Sequence, residues 1–281
     1  MSPKTKSKNT SNAPKNAKKK KPLLSPSERH AVYFHSAFTA LAVLVLVAPI
    51  PLSMGWRMFL LLVGYIFGLP LLGRRLGHER WGDLWTFVFP LSVLQVLPDW
   101  FMLSVLGSLV FPDTGFPFIG TVGAYMALMW SIPMWVILFT VWRLRKRSTP
   151  LSAYVLAVVL TIVIFGIAEA TLWVIPIWHA APHILAPLYV AIYVIIGEVF
   201  LGVSAWYAYQ TVADRRIPAK VVGALAVMLI YLGSIAVAYL LIEHELRGVP
   251  GISAESLEAF QAAQNPAVDG AAEAAPAPAA P

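Results

Sequence analysis

RLRKRSTPLSAYVLAVVLTIVIFGIAEATLWVIPI, residues 143–177, places four basic side chains ahead of a 27-residue run holding a single charge, Glu169. About 20 mainly apolar residues suffice for a helix to cross a bilayer. The run 151–177 therefore predicts a membrane span, and the basic cluster before it marks the end facing the cytoplasm. Working outward, six more stretches read the same way: 31–51, 56–72, 84–111, 119–142, 184–209 and 221–242. Pro90 and Pro98 in the long third stretch predict a tilt or kink. The predicted fold is all-α, a polytopic membrane bundle of seven transmembrane helices.

Composition agrees. Of 281 residues, 58% are hydrophobic and 12% charged, against about 25% charged in soluble domains. A soluble enzyme, a disordered chain and a nucleic-acid module are excluded, so no nucleic-acid partner is expected. With no cysteine, thiolate metal sites, iron–sulfur clusters and disulfides are excluded too. Orientation follows from the basic residues. If the amino terminus is cytoplasmic, 19 of the 21 Lys and Arg fall inside and only Arg57 and Arg247 fall outside. Seven spans then leave the carboxyl terminus outside.

Three regions are expected: a basic cytoplasmic tail at 1–30, a seven-helix domain at 31–245 and a flexible Ala/Pro-rich tail at 246–281. The first tail holds nine Lys and Arg against one acid, Glu28. It should be disordered and should meet anionic lipid headgroups at the bilayer.

Three acids fall inside the spans: Asp99, Glu169 and Glu198. A charge at bilayer depth costs about 2.5–3.5 kcal/mol on insertion scales, so such groups face a protein interior or a cavity. At ~1.5 Å per residue they lie about 18, 12 and 21 Å below the outer ends of their helices, one band some 9 Å deep. Ser92, Gln95 and Asp99 share a helix face. Neither Glu has a Lys or Arg at its depth, which leaves histidine, hydroxyls, each other, a metal or a proton as partner. An uncharged, proton-donating Glu is the expected form. Asp99, Glu169 and Glu198 are accordingly the candidate catalytic acids. Gln95, Trp100, Trp130, Trp173 and His183 are the candidate substrate-binding residues. Each has a structural alternative, for acids can bond neighbouring helices and aromatics can fill a core. Small residues beside the acids, Gly166, Gly197 and Gly202, suit either close helix packing or room for a ligand. His179 and His183 are spaced i, i+4, but Pro182 between them weakens the helix a metal pair requires. No metal and no cofactor is expected. The connection FPDTGFPFIG, 111–120, reads as a turn-rich aromatic segment, either a lid or a tight hairpin.

Span 221–242 contains no Lys for a retinal Schiff base, halves 1–3 and 5–7 do not repeat, and no phosphate loop, HExxH or GxSxG occurs. The stretches FPLSVLQVLPDWF (89–101), VFPDTGFPFIGTVGAYMA (110–127) and PLYVAIYVIIGEVFLGVSAWYAY (187–209) resemble an uncharacterised bacterial integral-membrane family over about 84–209. That resemblance implies a multi-pass protein of the bacterial cytoplasmic (inner) membrane and carries no assigned activity. Three functions compete. The first is an enzyme protonating a lipid or isoprenoid, whose hydrophobic small-molecule substrate would come from the bilayer. The second is a proton-coupled transporter, and the third a non-catalytic membrane assembly protein.

Overall fold

A computed structural model describes residues 24–145, 149–171, 175 and 177–248. Most of both tails, and Trp173, lie outside the described residues. Among the described residues seven helical spans are long and apolar enough to cross a membrane. The first two are α1 (Pro26–Val47) and α2 (Met54–Arg75). The third joins α3 (Glu79–Leu94) to α4 (Val96–Ser104), and the fourth joins α5 (Met126–Met129) to α6 (Ser131–Leu144). The remaining three are α7 (Pro150–Ala170), α8 (Ile192–Val212) and α9 (Ile217–Tyr239), which continues as a π-helical stretch, Leu240–Leu246.

Local chemistry sets several of these ends. Ser25 and Glu28 form a reciprocal capping box, so α1 starts at Pro26, five residues before the expected 31. Thr149 accepts the Ser152 N–H and Pro150 opens α7. The third span breaks at Gln95. Pro98 has no N–H to give and its ring crowds the carbonyl four residues back, on Leu94, the last residue of α3. Pro90 and Pro70, by contrast, are carried inside continuous helices.

The boundaries differ most at the end remote from the basic loops. The third span stops at Ser104 and not at 111. The fourth is preceded by non-helical chain, α7 ends at Ala170 and not at 177, and α8 begins at Ile192 and not at 184. The freed residues build two small antiparallel pairs. β1 (Leu109–Val110) pairs with β4 (His179–Ala180), and β2 (Phe118–Ile119) pairs with β3 (Val122–Gly123) as a hairpin. Within the turn-rich segment Phe116 is buried, its ring 4.7 Å from Phe59 and 4.9 Å from Trp56. Phe118 stays exposed. The segment is thus an aromatic-anchored hairpin.

Helices α8 and α9 form the centre; α3 packs on α9, α7 on α8, and α6 between α3 and α7. Close approach depends on two glycines of α8. A Cβ on Gly197 would strike Ile235 and Tyr231 of α9, and one on Gly202 would strike Thr161 of α7. Gly166 faces open space. Helix α1 lies at the edge, packed along α2 with most of its surface outward.

The end carrying the basic loops is tied by charge. Arg143 Nε donates to Glu28 at 2.9 Å, and the His30 and His78 rings share a 2.9 Å hydrogen bond. Lys220, near the start of α9, is 4% exposed. Its ammonium pairs with Asp83, which also accepts from Arg80 (2.8 Å) and the Tyr209 hydroxyl (2.8 Å). Between this end and the bundle's middle lies packed aromatic core: Trp81, Phe87, Trp135, Phe139, Trp206 and Tyr209.

Candidate functional site

Toward the opposite end the helices part around a cavity of about 420 Å³ whose wall includes Asp99, Glu169 and Glu198. Each acid arrives on its own helix, α4, α7 and α8. Glu198 lies within electrostatic reach of both others. The rest of the wall is apolar or aromatic, from Phe38 and Leu46 on α1 through Met102, Met126 and Phe165 to Tyr231 on α9. No Lys, Arg or His stands among the lining residues. Volume and lining are those of a small-molecule pocket, about 300–1,000 Å³ and mainly apolar with few polar groups.

The acids differ in what they bond. Asp99 is 1% exposed and its Oδ2 accepts from the Trp130 indole N–H at 3.2 Å. Trp130 stands at the join of α5 and α6, and the Ser92 hydroxyl fixes that join to α3 through the Ala127 carbonyl (2.9 Å). Glu169 Oε2 accepts the Ala191 N–H at 3.0 Å. Ala191 precedes α8, so this carboxyl satisfies one of the free donors at that helix start. The same bond ties the early end of α7 to the late start of α8. Glu169 sits one residue from the end of its helix. Glu198 sits six residues into α8, about 9 Å deep at 1.5 Å per residue. Both are shallower than expected. Glu198 Oε2 is buried and has no hydrogen-bond partner among the described residues.

Four hydroxyl-bearing residues, Ser108, Tyr189, Tyr193 and Tyr231, also line the wall. Tyr193 donates to Ser108 Oγ at 2.7 Å, and Ser108 in turn donates to the Met102 carbonyl. The Tyr231 hydroxyl is fully buried without a partner, its ring 5.6 Å from Trp130 and edge-on to it. Trp130 also lies 5.2 Å from Phe165. Tyr189 is held at the wall by a strained turn, Pro187–Tyr189, in which Leu188 and Tyr189 have φ of 54° and 68°. Tyr193, Tyr231 and Ser108 escape a reading of the sequence because hydroxyl-bearing residues are ordinary in apolar helices. Their only signal is a place within one or two turns of an acid or glycine.

Of the expected binding residues among those described, Gln95, Trp100, Trp130 and His183, only Trp130 lines the cavity. Trp100 is 40% exposed on the outer surface, since the break at Gln95 turns α4 so that Asp99 faces inward and its neighbour outward. Gln95 is fully buried at that break, both side-chain amide atoms unpartnered among the described residues, but it is not part of the wall. His183 lies in the connection before α8, where its carbonyl accepts from Arg247 at 2.9 Å. Burial holds its imidazole below the usual value; Glu243 opposes this and Arg247 adds to it. Glu243 lies near the end of the last span, where a charged side chain would ordinarily meet solvent. It is instead fully buried, accepting the Leu185 N–H at 3.1 Å and pairing with Arg247. Among the described residues no three His, Asp or Glu are grouped as metal ligands.

A membrane-type helical bundle with carboxyl groups around an apolar cavity is the class that this geometry defines. The chain belongs to the family of the domain of unknown function DUF6989, whose model matches residues 96–242. The match begins with α4 and takes in all three acids; α1 to α3 lie before it. No curated protein matches the chain, and no solved structure does.

Proposed function

We propose that the protein is an intramembrane enzyme that moves a proton onto and off an unsaturated lipid or isoprenoid held in the cavity. One observation carries this: Glu198, buried at the cavity wall with an oxygen that no group among the described residues bonds. Glu169 and Asp99 each accept an N–H and are the proton acceptors; Glu198, which lacks such a donor at Oε2, is the acid. Its carboxyl proton adds to one carbon of a C=C bond. The π pair forms the new C–H bond, and the neighbouring carbon becomes cationic beside the faces of Trp130 and Tyr231. Loss of a proton from the next carbon to Glu169 or Asp99 restores a double bond one position along. The substrate is isomerised, one proton passes between carboxyls, and no co-reactant is consumed.

The aromatic packing between the cavity and the basic end supports an enzyme over a transporter, because Trp81, Phe87, Trp135, Phe139, Trp206 and Tyr209 fill that part of the bundle. In the same reading the basic end faces the cytoplasm, with the amino terminus inside and the carboxyl terminus outside, in the inner membrane of a bacterium. The Lys-rich amino-terminal segment then lies against anionic headgroups.

Mass spectrometry of organic extracts from the purified protein tests this, wild type beside Glu198→Gln. The expected result is a specific unsaturated lipid in both, differing in double-bond position between them. Bulk phospholipid alone in both extracts would remove the reading.

A further inference from the structure

Among the described residues the cavity wall carries three carboxyl groups and no basic side chain. That asymmetry concerns which ligand head is accepted, whatever chemistry follows. An anionic head, whether phosphate, diphosphate or carboxylate, would find no cation to offset it in this apolar site, and any of Asp99, Glu169 and Glu198 that ionised there would repel it. A cationic head meets the opposite. Glu198 Oε2 and the Tyr231 hydroxyl are both buried, unpartnered among the described residues and part of the wall. Each is an acceptor for an ammonium N–H. Around them stand Trp130, Phe165 and Tyr231, with Trp130 5.2 Å from Phe165 and 5.6 Å from Tyr231 in non-parallel pairs. Rings set at angles to one another present more than one face to a single point, the arrangement that binds substituted ammonium ions. The remainder of the wall, Phe38, Leu46, Met58, Leu61 and Ile164, suits an alkyl chain.

We propose that this cavity is a binding site for a lipophilic cation, a protonated long-chain amine, whose ammonium sits between Glu198, Tyr231 and Trp130, and that it refuses lipids with anionic heads. The proposal rests on the preceding reading only in taking the cavity as the site.

The test uses the full chain in phosphatidylcholine nanodiscs and three probes of equal chain length: N,N-dimethyldodecylamine, dodecanol and dodecanoate. Equilibrium dialysis against empty nanodiscs separates saturable binding from partition into lipid. The amine should bind one per chain, on the order of tenfold or more tighter than dodecanol, the size of a desolvated cation–π contact. Dodecanoate should show no saturable binding. Glu198→Gln should weaken the amine on the order of tenfold and leave dodecanol unchanged. Tyr231→Phe, which keeps the ring, provides a second variant if the first does not fold, and should weaken the amine less. Equal binding of dodecanoate and the amine, or of dodecanol and the amine, overturns the proposal, as does an amine affinity indifferent to Glu198→Gln. The two readings separate. Glu198-dependent lipid conversion without amine binding overturns this one and leaves the enzyme. Saturable amine binding with no converted lipid leaves the site and removes the enzyme.

Discussion

Replacing Lys220 by methionine deletes an ammonium that is 4% exposed and bonds Asp83 and the Thr86 hydroxyl (3.0 Å). Stranding one member of a buried ion pair costs about 3–5 kcal/mol. Here the stranded Asp83 keeps Arg80 and Tyr209, each at 2.8 Å, and its side chain is 23% exposed. The loss should therefore be nearer 2 kcal/mol, below the full stranding cost. At about 2–4 °C per kcal/mol for a domain of this size, the melting temperature falls by about 4–8 °C. The reverse change, Asp83→Asn, leaves the better-buried partner without its counter-charge, and Lys220 retains only neutral acceptors: the Thr86 hydroxyl, the residue-83 carbonyl and the Asn amide oxygen. It should cost more, about 3–4 kcal/mol. The assay is thermal unfolding of the detergent-purified protein for wild type, both single variants and the double variant. The double variant should recover about 1.5 kcal/mol or more relative to the sum, as contacting charges do. Additive effects, or Lys220→Met costing more than Asp83→Asn, would refute the claim that this pair is a buried tie.

Further outcomes follow from other contacts. Gly202→Ala and Gly197→Ala force a methyl into Thr161 or Ile235 and should each cost about 1–3 kcal/mol, read as a lower melting temperature. Gly166→Ala meets nothing within 4 Å and should be neutral or stabilising by up to about 1 kcal/mol from helix propensity. Glu28→Ala removes both the α1 capping box and the Arg143 pair and should cost about 1–2 kcal/mol, with proteolysis near residue 25 as a second readout. At the same end, burial and the neighbouring His30 hold the His78 imidazole below its usual value. The folded protein then binds fewer protons than the unfolded chain between the lowered value and 6.5. Stability is thus fully present above pH 6.5 and declines as pH falls through the lowered value. A melting-temperature profile of His78→Asn should lose part of that decline; an unchanged slope counts against it.

The number and order of the spans are legible because hydrocarbon thickness imposes one simple rule, and 151–177 or 221–242 satisfies it without knowledge of any partner. The break in the third span is legible as well, since Pro98 acts on the carbonyl of Leu94 within its own helix. Hydropathy is silent on where α7 stops. TLWVIPI is as apolar as the helix before it, while the bond that closes the end runs from Glu169 to Ala191, 22 residues on. The three acids stand out in sequence because charge is rare at depth, and the structure gathers them around one cavity. Trp100 and Trp130 look alike as sequence. Only the turn at Gln95 decides that the first faces outward and the second bonds Asp99. Lys220 and Asp83 hide for a different reason. Each lies at the edge of a span, where charge is ordinary, and their meeting spans 137 residues.

The clasp between Glu28 and Arg143 also spans a long stretch, 115 residues. Ribosomes add about 5–20 residues per second, so Glu28 is made about 6–23 s before its partner residue exists. Throughout that interval the first helix can lean on α2, His78 and the start of α3 through Trp81, but not on Arg143. Its insertion must therefore succeed without the clasp, which acts late on a helix already resident in the bilayer. Loss of Glu28 should for that reason leave membrane insertion intact and delay only the final closing of the bundle.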